Sequence, residues 1–326
     1  MKTKIKSLVI LAGVSIFLVS ACKKEENVMP PSQVKTNTGT SSLGSFFTAN
    51  EKAATQTFTI DASSYQDITG AKGTKIYFYP NTFKTPSGAI ATGNITIKLI
   101  EVQTKADMIL LNKTTTSNGK LLISGGEFSI TAFQNGNQLT LANNSSNMYI
   151  EMASKNPGNN NMILFSGQQT SSGDVNWALT GLNGPNNTVF DSIGYYSFAL
   201  GGDSIPTPDS LGWINCDYFY NSSNNTTITI NTPANHIGVG TANMPNTRVY
   251  VFFNNLFAIT QLSGSANVFT SSSTPVGTQI KIVAISEING QYYSSITPVT
   301  VTANLTQSIT LNPTTLSALK NDINNL

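Results

Sequence analysis

The stretch Gln279-Ile-Lys-Ile-Val-Ala-Ile-Ser-Glu-Ile288, followed by Asn289-Gly290 and Tyr292-Tyr293, leaves little freedom of fold. Apolar residues at every second position suit a strand with one buried face. Asn-Gly then supplies the two left-handed residues that a tight hairpin turn requires. The same period of two recurs in Phe58 and Ile60, in Ile76 and Phe78, in Ile95, Ile97 and Leu99, and in Phe128, Ile130 and Ala132. Asn135-Gly136 ahead of Leu139 and Leu141 gives a second hairpin signal. Asn, Thr, Ser and Gly supply turns and wet sheet faces, and long helix-forming stretches are nearly absent. The expectation is an all-β chain of two or three antiparallel β-sandwich modules, the C-terminal one Ig-like or transthyretin-like.

The spacing of these signals divides the chain. A first sandwich is expected over 55–145, a middle β region over 146–225 that is either separate or continuous with a neighbour, and a C-terminal sandwich over 226–312. Residues 313–326 carry Leu316, Leu319, Ile323 and Leu326 at helical spacing, which predicts a short terminal helix or tail. Lys105–Leu111 breaks the alternation and predicts a helical turn. Leu121-Leu-Ile123 and Gly126–Phe133 are taken as separate strands, with Gly125-Gly126 as turn material between them.

Ahead of these modules, Lys2, Lys4 and Lys6 precede the apolar run Leu8–Val19, which has signal-peptide dimensions and is short for a membrane span. Val19-Ser20-Ala21-Cys22 resembles the lipobox of bacterial lipoproteins. That resemblance implies a signal peptide over 1–21 and lipidation of Cys22, with about 0.8 kcal/mol of membrane affinity per buried CH₂. Lys24-Glu25-Glu26 resembles the export signal of Bacteroidetes surface lipoproteins, which implies the outer membrane and a surface-exposed position, with the periplasmic face as the alternative. Residues 22–54 carry little periodicity and are read as a flexible tether, with Phe46 and Phe47 available to pack back on the first module.

Gly73-Thr-Lys-Ile, Pro80-Asn-Thr-Phe, Gly93–Val102, Ala106-Asp-Met-Ile-Leu and Thr114–Gly126 together resemble uncharacterised Bacteroidetes surface proteins and, faintly, the ZU5-type β-sandwich module. The resemblance covers 55–141 and implies protein contacts rather than catalysis. Gly-Trp-Ile-Asn-Cys-Asp at 212–217 is similar to a string in related surface proteins that carries no assigned role.

Charge excludes several activities. The formal net charge is +2, but loss of the three leader lysines leaves 15 basic against 16 acidic residues. Nucleic-acid binding needs a concentrated basic surface, and none is present. Neither Walker nor dinucleotide glycine motifs occur, so nucleotides and other cofactors are not expected. With Cys22 committed to lipid, no second cysteine remains to pair with Cys216, so packing rather than disulfides must hold the sheets. Cys216 and the only histidine, His236, are the one thiol–imidazole combination on offer, and both read better as structural residues.

The remaining candidates cluster in 190–220. Trp213, Tyr218 and Tyr220 are the candidate glycan-stacking residues. Asp203, Asp209 and Asp217 are weak calcium candidates that fail the twelve-residue loop pattern. Ser192, Ser204 and Ser210 each follow an aspartate and precede an apolar residue, which resembles the O-glycosylation motif of exported Bacteroidetes proteins. The functional expectation is a non-enzymatic envelope protein, held to the membrane by its lipid, that serves as a structural, adhesive or protein-interaction module for an envelope protein or glycan. The alternative is a glycan-binding surface lipoprotein that works beside an outer-membrane uptake system.

Overall fold

The computed structural model describes residues 42–142, 148–155, 161–169, 174–179, 189–192, 194–200, 211–238 and 245–326. All of them lie in the compact unit that begins at Lys35. Among the described residues the fold is mostly β, built from several antiparallel sheets in a β-sandwich type of architecture.

The largest sheet runs in the order Gln56–Asp61, Asn94–Val102, Lys120–Gln134, Trp213–Phe219, Ile163–Gln169, Val175–Leu179. Facing it is a second sheet ordered Phe190–Ser192, Tyr195–Leu200, Met148–Ala153, Lys75–Phe78, Gln66–Thr69. Alternation does the work: Ile95, Ile97, Leu99, Phe128 and Ile130 from the first meet Ile76, Phe78, Ile150 and Phe198 from the second in one core. The 146–225 stretch is therefore no separate module, because its strands complete both sheets of the first sandwich.

C-terminal to this, Ser263–Ser265, Val268–Pro275, Asn225–Asn231 and Thr306–Ser308 form one sheet. Ile259–Gln261, Thr247–Phe253, Gln279–Ile288, Gln291–Thr300 and Asn312–Thr314 form the other. Asn289 (φ 52°) and Gly290 (φ 81°) make the hairpin turn that the sequence specifies.

The strand Lys120–Gln134 ties the two halves together. It is continuous for fifteen residues, where two separate strands were expected. Leu121 and Ile123 enter the C-terminal core, whereas Phe128, Ile130 and Ala132 enter the first. Between them Gly125 and Gly126 form a bulge rather than a turn: Asn215 pairs with Glu127, but Asp217 pairs with Ser124. Gly126 has φ 129°, and a Cβ on Gly125 would lie 2.6 Å from the Tyr196 ring. Glycine allows both the conformation and the close approach.

The tether expected over 22–54 is corrected at its end. Ser42–Ala54 is a helix, α1. Leu43, Phe46, Phe47 and Asn50 fall on one face, and all four are buried. The apolar three pack with Met108 and Ile109 of the short helix α2 (Lys105–Leu110), with Tyr250 and Val283, and with Leu319 and Ile323 of the terminal helix α3 (Leu316–Asn324). Asn50 donates to the Leu110 carbonyl at 2.9 Å, which satisfies one of the open carbonyls at the end of α2. α2 itself starts on a capping box, with Thr104 Oγ1 accepting from the Asp107 N–H and Asp107 Oδ2 accepting from the Thr104 N–H.

Candidate functional site

The strand Trp213–Phe219 carries most of the expected site, and its period of two takes that site apart. Ile214, Cys216 and Tyr218 face the first sandwich core, while Trp213 and Phe219 pack on the opposite face with Phe165, Val175 and Trp177. The Lys113 ammonium sits 4.7 Å from the Trp213 ring centroid. Tyr218 also touches the C-terminal core, and Tyr220 packs only there. All three aromatics are half-buried packing residues, with Trp213 on the face opposite to Tyr218 and Tyr220. The stacking row expected from Trp213, Tyr218 and Tyr220 is not assembled.

Asp217 shares the Trp213 face and is fully buried. Asn215 Nδ2 donates to its Oδ2 at 2.6 Å, while Oδ1 has no donor. Directly across the ladder from Asn215 stands Glu127, also fully buried, with neither carboxylate oxygen hydrogen-bonded. Burial above all, and then the charge of Asp217, push the Glu127 carboxyl well above its usual range, against the pull of Lys113. Burial likewise pushes Asp217 up, against the opposing pull of the nearby Ser124 hydroxyl, the Asn215 amide and the Gly125 N–H. Lys113 is itself committed to Glu51 at 2.7 Å.

Glu101, equally buried, is the instructive contrast. It accepts from Gln56 Nε2, the Lys72 N–H and the Thr74 N–H at 2.8–2.9 Å. Glu101 pins a turn; Glu127 and Asp217 keep oxygens without donors. With no solvent-accessible surface on either side chain, Glu127 and Asp217 do not flank a cleft as a hydrolytic pair must. Among the described residues no three His, Cys, Asp or Glu side chains gather as metal ligands. The expected calcium partners Asp203 and Asp209 lie outside the described residues, as do Ser204, Ser210 and Cys22. Ser192 ends the strand Phe190–Ser192, and its side chain is not among those described.

Cys216 and His236 occupy different modules. Cys216 lies in the first core. His236 bonds Ser286 through Nδ1 at 2.8 Å and meets the Tyr293 ring edge-on in the C-terminal module. Burial lowers its pKa. Among the described residues no thiol–imidazole pair is formed.

The exposed aromatic surface lies elsewhere, on the outer face of the second sheet. In Lys75–Phe78 and Met148–Ala153, Ile76, Phe78, Met148, Ile150 and Met152 point inward. The alternate positions leave Lys75, Tyr77, Tyr149 and Glu151 outside, with Tyr77 opposite Tyr149 and Lys75 opposite Glu151. The Tyr77 and Tyr149 rings are 6.0 Å apart at 39°. Tyr77 donates to Glu151 Oε2 at 3.0 Å, and burial, with this bond, pushes its pKa up to about 12. Tyr195 joins from the next strand, 5.6 Å below the Lys75 ammonium. At the margin Tyr65 and Tyr79 meet edge-to-face at 5.4 Å and 61°, and are 51% and 47% exposed.

This surface was missed in the sequence reading, although the signal was present. Lys75-Ile-Tyr-Phe-Tyr79 and Met148-Tyr-Ile-Glu-Met152 place large residues on both faces of their strands. A strand that is aromatic on its solvent side has more than a core to serve.

No protein-family model matches the chain, and no curated protein is significantly similar to it.

Proposed function

We propose that this chain is a non-enzymatic lipoprotein of the outer membrane, anchored through acylated Cys22 and displayed at the cell surface, that serves as a structural, adhesive or protein-interaction module. The outer face of the second sheet is its contact surface. One observation carries the reading: Tyr65, Tyr77, Tyr79, Tyr149 and Tyr195 line one solvent-facing side of a sheet, with Lys75, Glu151 and Asp67 among them. Tyrosine offers large contact area with a polar tip, and aromatic residues with a polar surround are characteristic of protein interfaces. On this reading the C-terminal module is an Ig-like or transthyretin-like sandwich that extends the scaffold behind that surface.

Glycan binding beside an uptake system is the second reading, and the two exposed tyrosines support it as well. Their 61° angle favours protein contact, because a sugar ring stacks on a flat shelf.

A photo-crosslinking residue at position 79 of the full chain in intact cells, with Thr306 as an exposed control position, tests the surface. A protein adduct specific to position 79 supports the proposal. Capture of glycan instead, or equal adducts at both positions, overturns it. The anchor is tested separately by detergent-phase partitioning, which Cys22→Ala must abolish.

A further inference from the structure

Tyr65 and Tyr79 stand opposite one another at the open end of a ladder. The strands Gln66–Thr69 and Lys75–Phe78 pair from Thr69 with Lys75 to Gln66 with Phe78, and the two tyrosines occupy the next register position. Side chains directly opposite in an antiparallel pair lie about 4.5–5.5 Å apart at Cβ and face the same side. The rings of Tyr65 and Tyr79 are accordingly in contact, with centroids 5.4 Å apart.

Exposure sets this pair apart from every other easily oxidised group described. Thiols, thioethers, indoles and phenols are the side chains that most readily give up an electron. Cys216, Trp177 and the four described methionines, Met108, Met148, Met152 and Met162, are buried, and Trp213 is half-buried. Among the described residues no tyrosine is as exposed as Tyr65 and Tyr79. The neighbouring pair, Tyr77 and Tyr149, is half-buried with centroids 6.0 Å apart, and the Tyr77 hydroxyl is tied to Glu151. An oxidant arriving from solvent meets the outer pair first. Exposed side chains change rotamer within picoseconds to nanoseconds, so the two outer rings can swing edge to edge.

We propose that Tyr65 and Tyr79 are an oxidative cross-linking site, joined as dityrosine by a haem-peroxidase type of one-electron oxidant acting with hydrogen peroxide. Each phenol gives up one electron and one proton and becomes a phenoxyl radical. The radicals form a carbon–carbon bond between the ring positions ortho to oxygen, and the hydrogens on those two carbons move to oxygen and restore both phenols. The chain loses two hydrogens in all. One peroxide takes up the two electrons and two protons and leaves as two waters. The bond ties the edge strand Gln66–Thr69 to its neighbour within one molecule. It requires neither a membrane anchor nor a partner, so it stands apart from the contact role of the same face.

The test treats the full chain with a haem peroxidase and hydrogen peroxide, followed by dityrosine fluorescence, a denaturing gel and a tryptic peptide map. Tyr65 is the only tyrosine between Lys52 and Lys72, and Tyr77 and Tyr79 are the only two between Lys75 and Lys84. Fragment sequencing of the linked peptides therefore assigns the bond. The expected product is a fluorescent monomer lighter by two hydrogens, linked from position 65 to position 79. Tyr65→Phe must lose this fluorescence, whereas Tyr149→Phe keeps it. The map of the unaltered chain stands without either variant. No linked product, a bond from Tyr65 to any tyrosine other than Tyr79, linkage only in covalent dimers, or a 65–79 bond that forms equally well in the urea-unfolded chain overturns the proposal.

Discussion

Replacing Glu127 by methionine is expected to stabilise this protein. The side chain is fully buried, both carboxylate oxygens lack a donor, and the fully buried Asp217 lies diagonally across the same face of the ladder. The nearest compensating charge, Lys113, is spent on Glu51 at 2.7 Å. A buried polar group without a partner costs about 1–3 kcal/mol, and more when charged. Methionine fills a similar volume with no polar requirement. The expected gain at pH 8 is therefore about 1–3 kcal/mol, which at about 2–4 °C per kcal/mol for a chain of this size is readily seen in a thermal melt. The sign of its pH dependence follows from linkage. Glu127 and Asp217 have folded-state pKa values raised well above their unfolded ones. The native state therefore holds protons that the unfolded chain releases. The stability this provides is complete below the unfolded value of about 4 and is lost as pH rises toward the folded values. The advantage of Glu127→Met over the unaltered chain must accordingly grow between pH 5 and pH 8. If Glu127 is instead held as a charge by Lys113, removing it strands a buried cation and costs about 3–5 kcal/mol. A variant that melts lower at pH 8, or a difference that does not change with pH, refutes the argument.

Three further substitutions probe the packing and the surface. Phe46→Ala, at a position 3% exposed on α1, should cost about 3–5 kcal/mol by denaturant unfolding, whereas a tether residue would cost nothing measurable. Gly126→Ala places a methyl group 2.9 Å from Gln103 Oε1 at φ 129° and should cost about 1–3 kcal/mol in the same assay. Tyr65→Ser with Tyr79→Ser should leave the melting temperature nearly unchanged, each within about 0.5 kcal/mol, while abolishing the adduct that a photo-crosslinking residue placed at position 77, on the same face, captures when both tyrosines are present.

Much of this fold is written in short-range pattern. Alternation in Asn94–Val102 and the Asn-Gly turn at 289–290 specify their strands without tertiary help, and Thr104 with Asp107 announces α2. Leu319 and Ile323, both buried, account for the helical spacing near the C-terminus. What escapes the pattern has identifiable causes. α1 presents an interrupted apolar stripe, because Asn50 stands between Phe47 and Ala54 and is buried for its bond to Leu110. The bulge at Gly125-Gly126 looks like a turn because glycine pairs usually are turns. Only the Tyr196 ring and the ladder on either side show that the strand continues. For the candidate site the failure is one of parity. An odd–even difference separates Trp213 from Tyr218 and Tyr220 and was available in the sequence, but aromatic density drew attention to the wrong stretch. The burial of Glu127 and Asp217, by contrast, depends on which elements cover that face, and no local pattern encodes it.

The strand that carries Glu127 also decides how the protein unfolds. Lys120–Gln134 delivers Leu121 and Ile123 to the C-terminal core, Leu122 to the small core around Trp177, and Phe128, Ile130 and Ala132 to the first. α1 packs against residues of both halves. A cut at 225 therefore removes more than a linker. Residues 226–326 alone lose Leu121 and Ile123 from their core at about 1.5–3 kcal/mol for each side chain, and with them the cover that α1 gives Tyr250 and Val283. That loss is a large part of the stability of an ordinary domain. The intact chain should melt in a single transition followed equally by far-ultraviolet circular dichroism and tryptophan fluorescence, although both tryptophans, Trp177 and Trp213, lie on strands of the first sandwich. The 226–326 fragment should show no cooperative transition. A fragment that melts as sharply as the whole chain, or two separated transitions in the intact protein, would mean that the strand joins two independent domains rather than one cooperative structure.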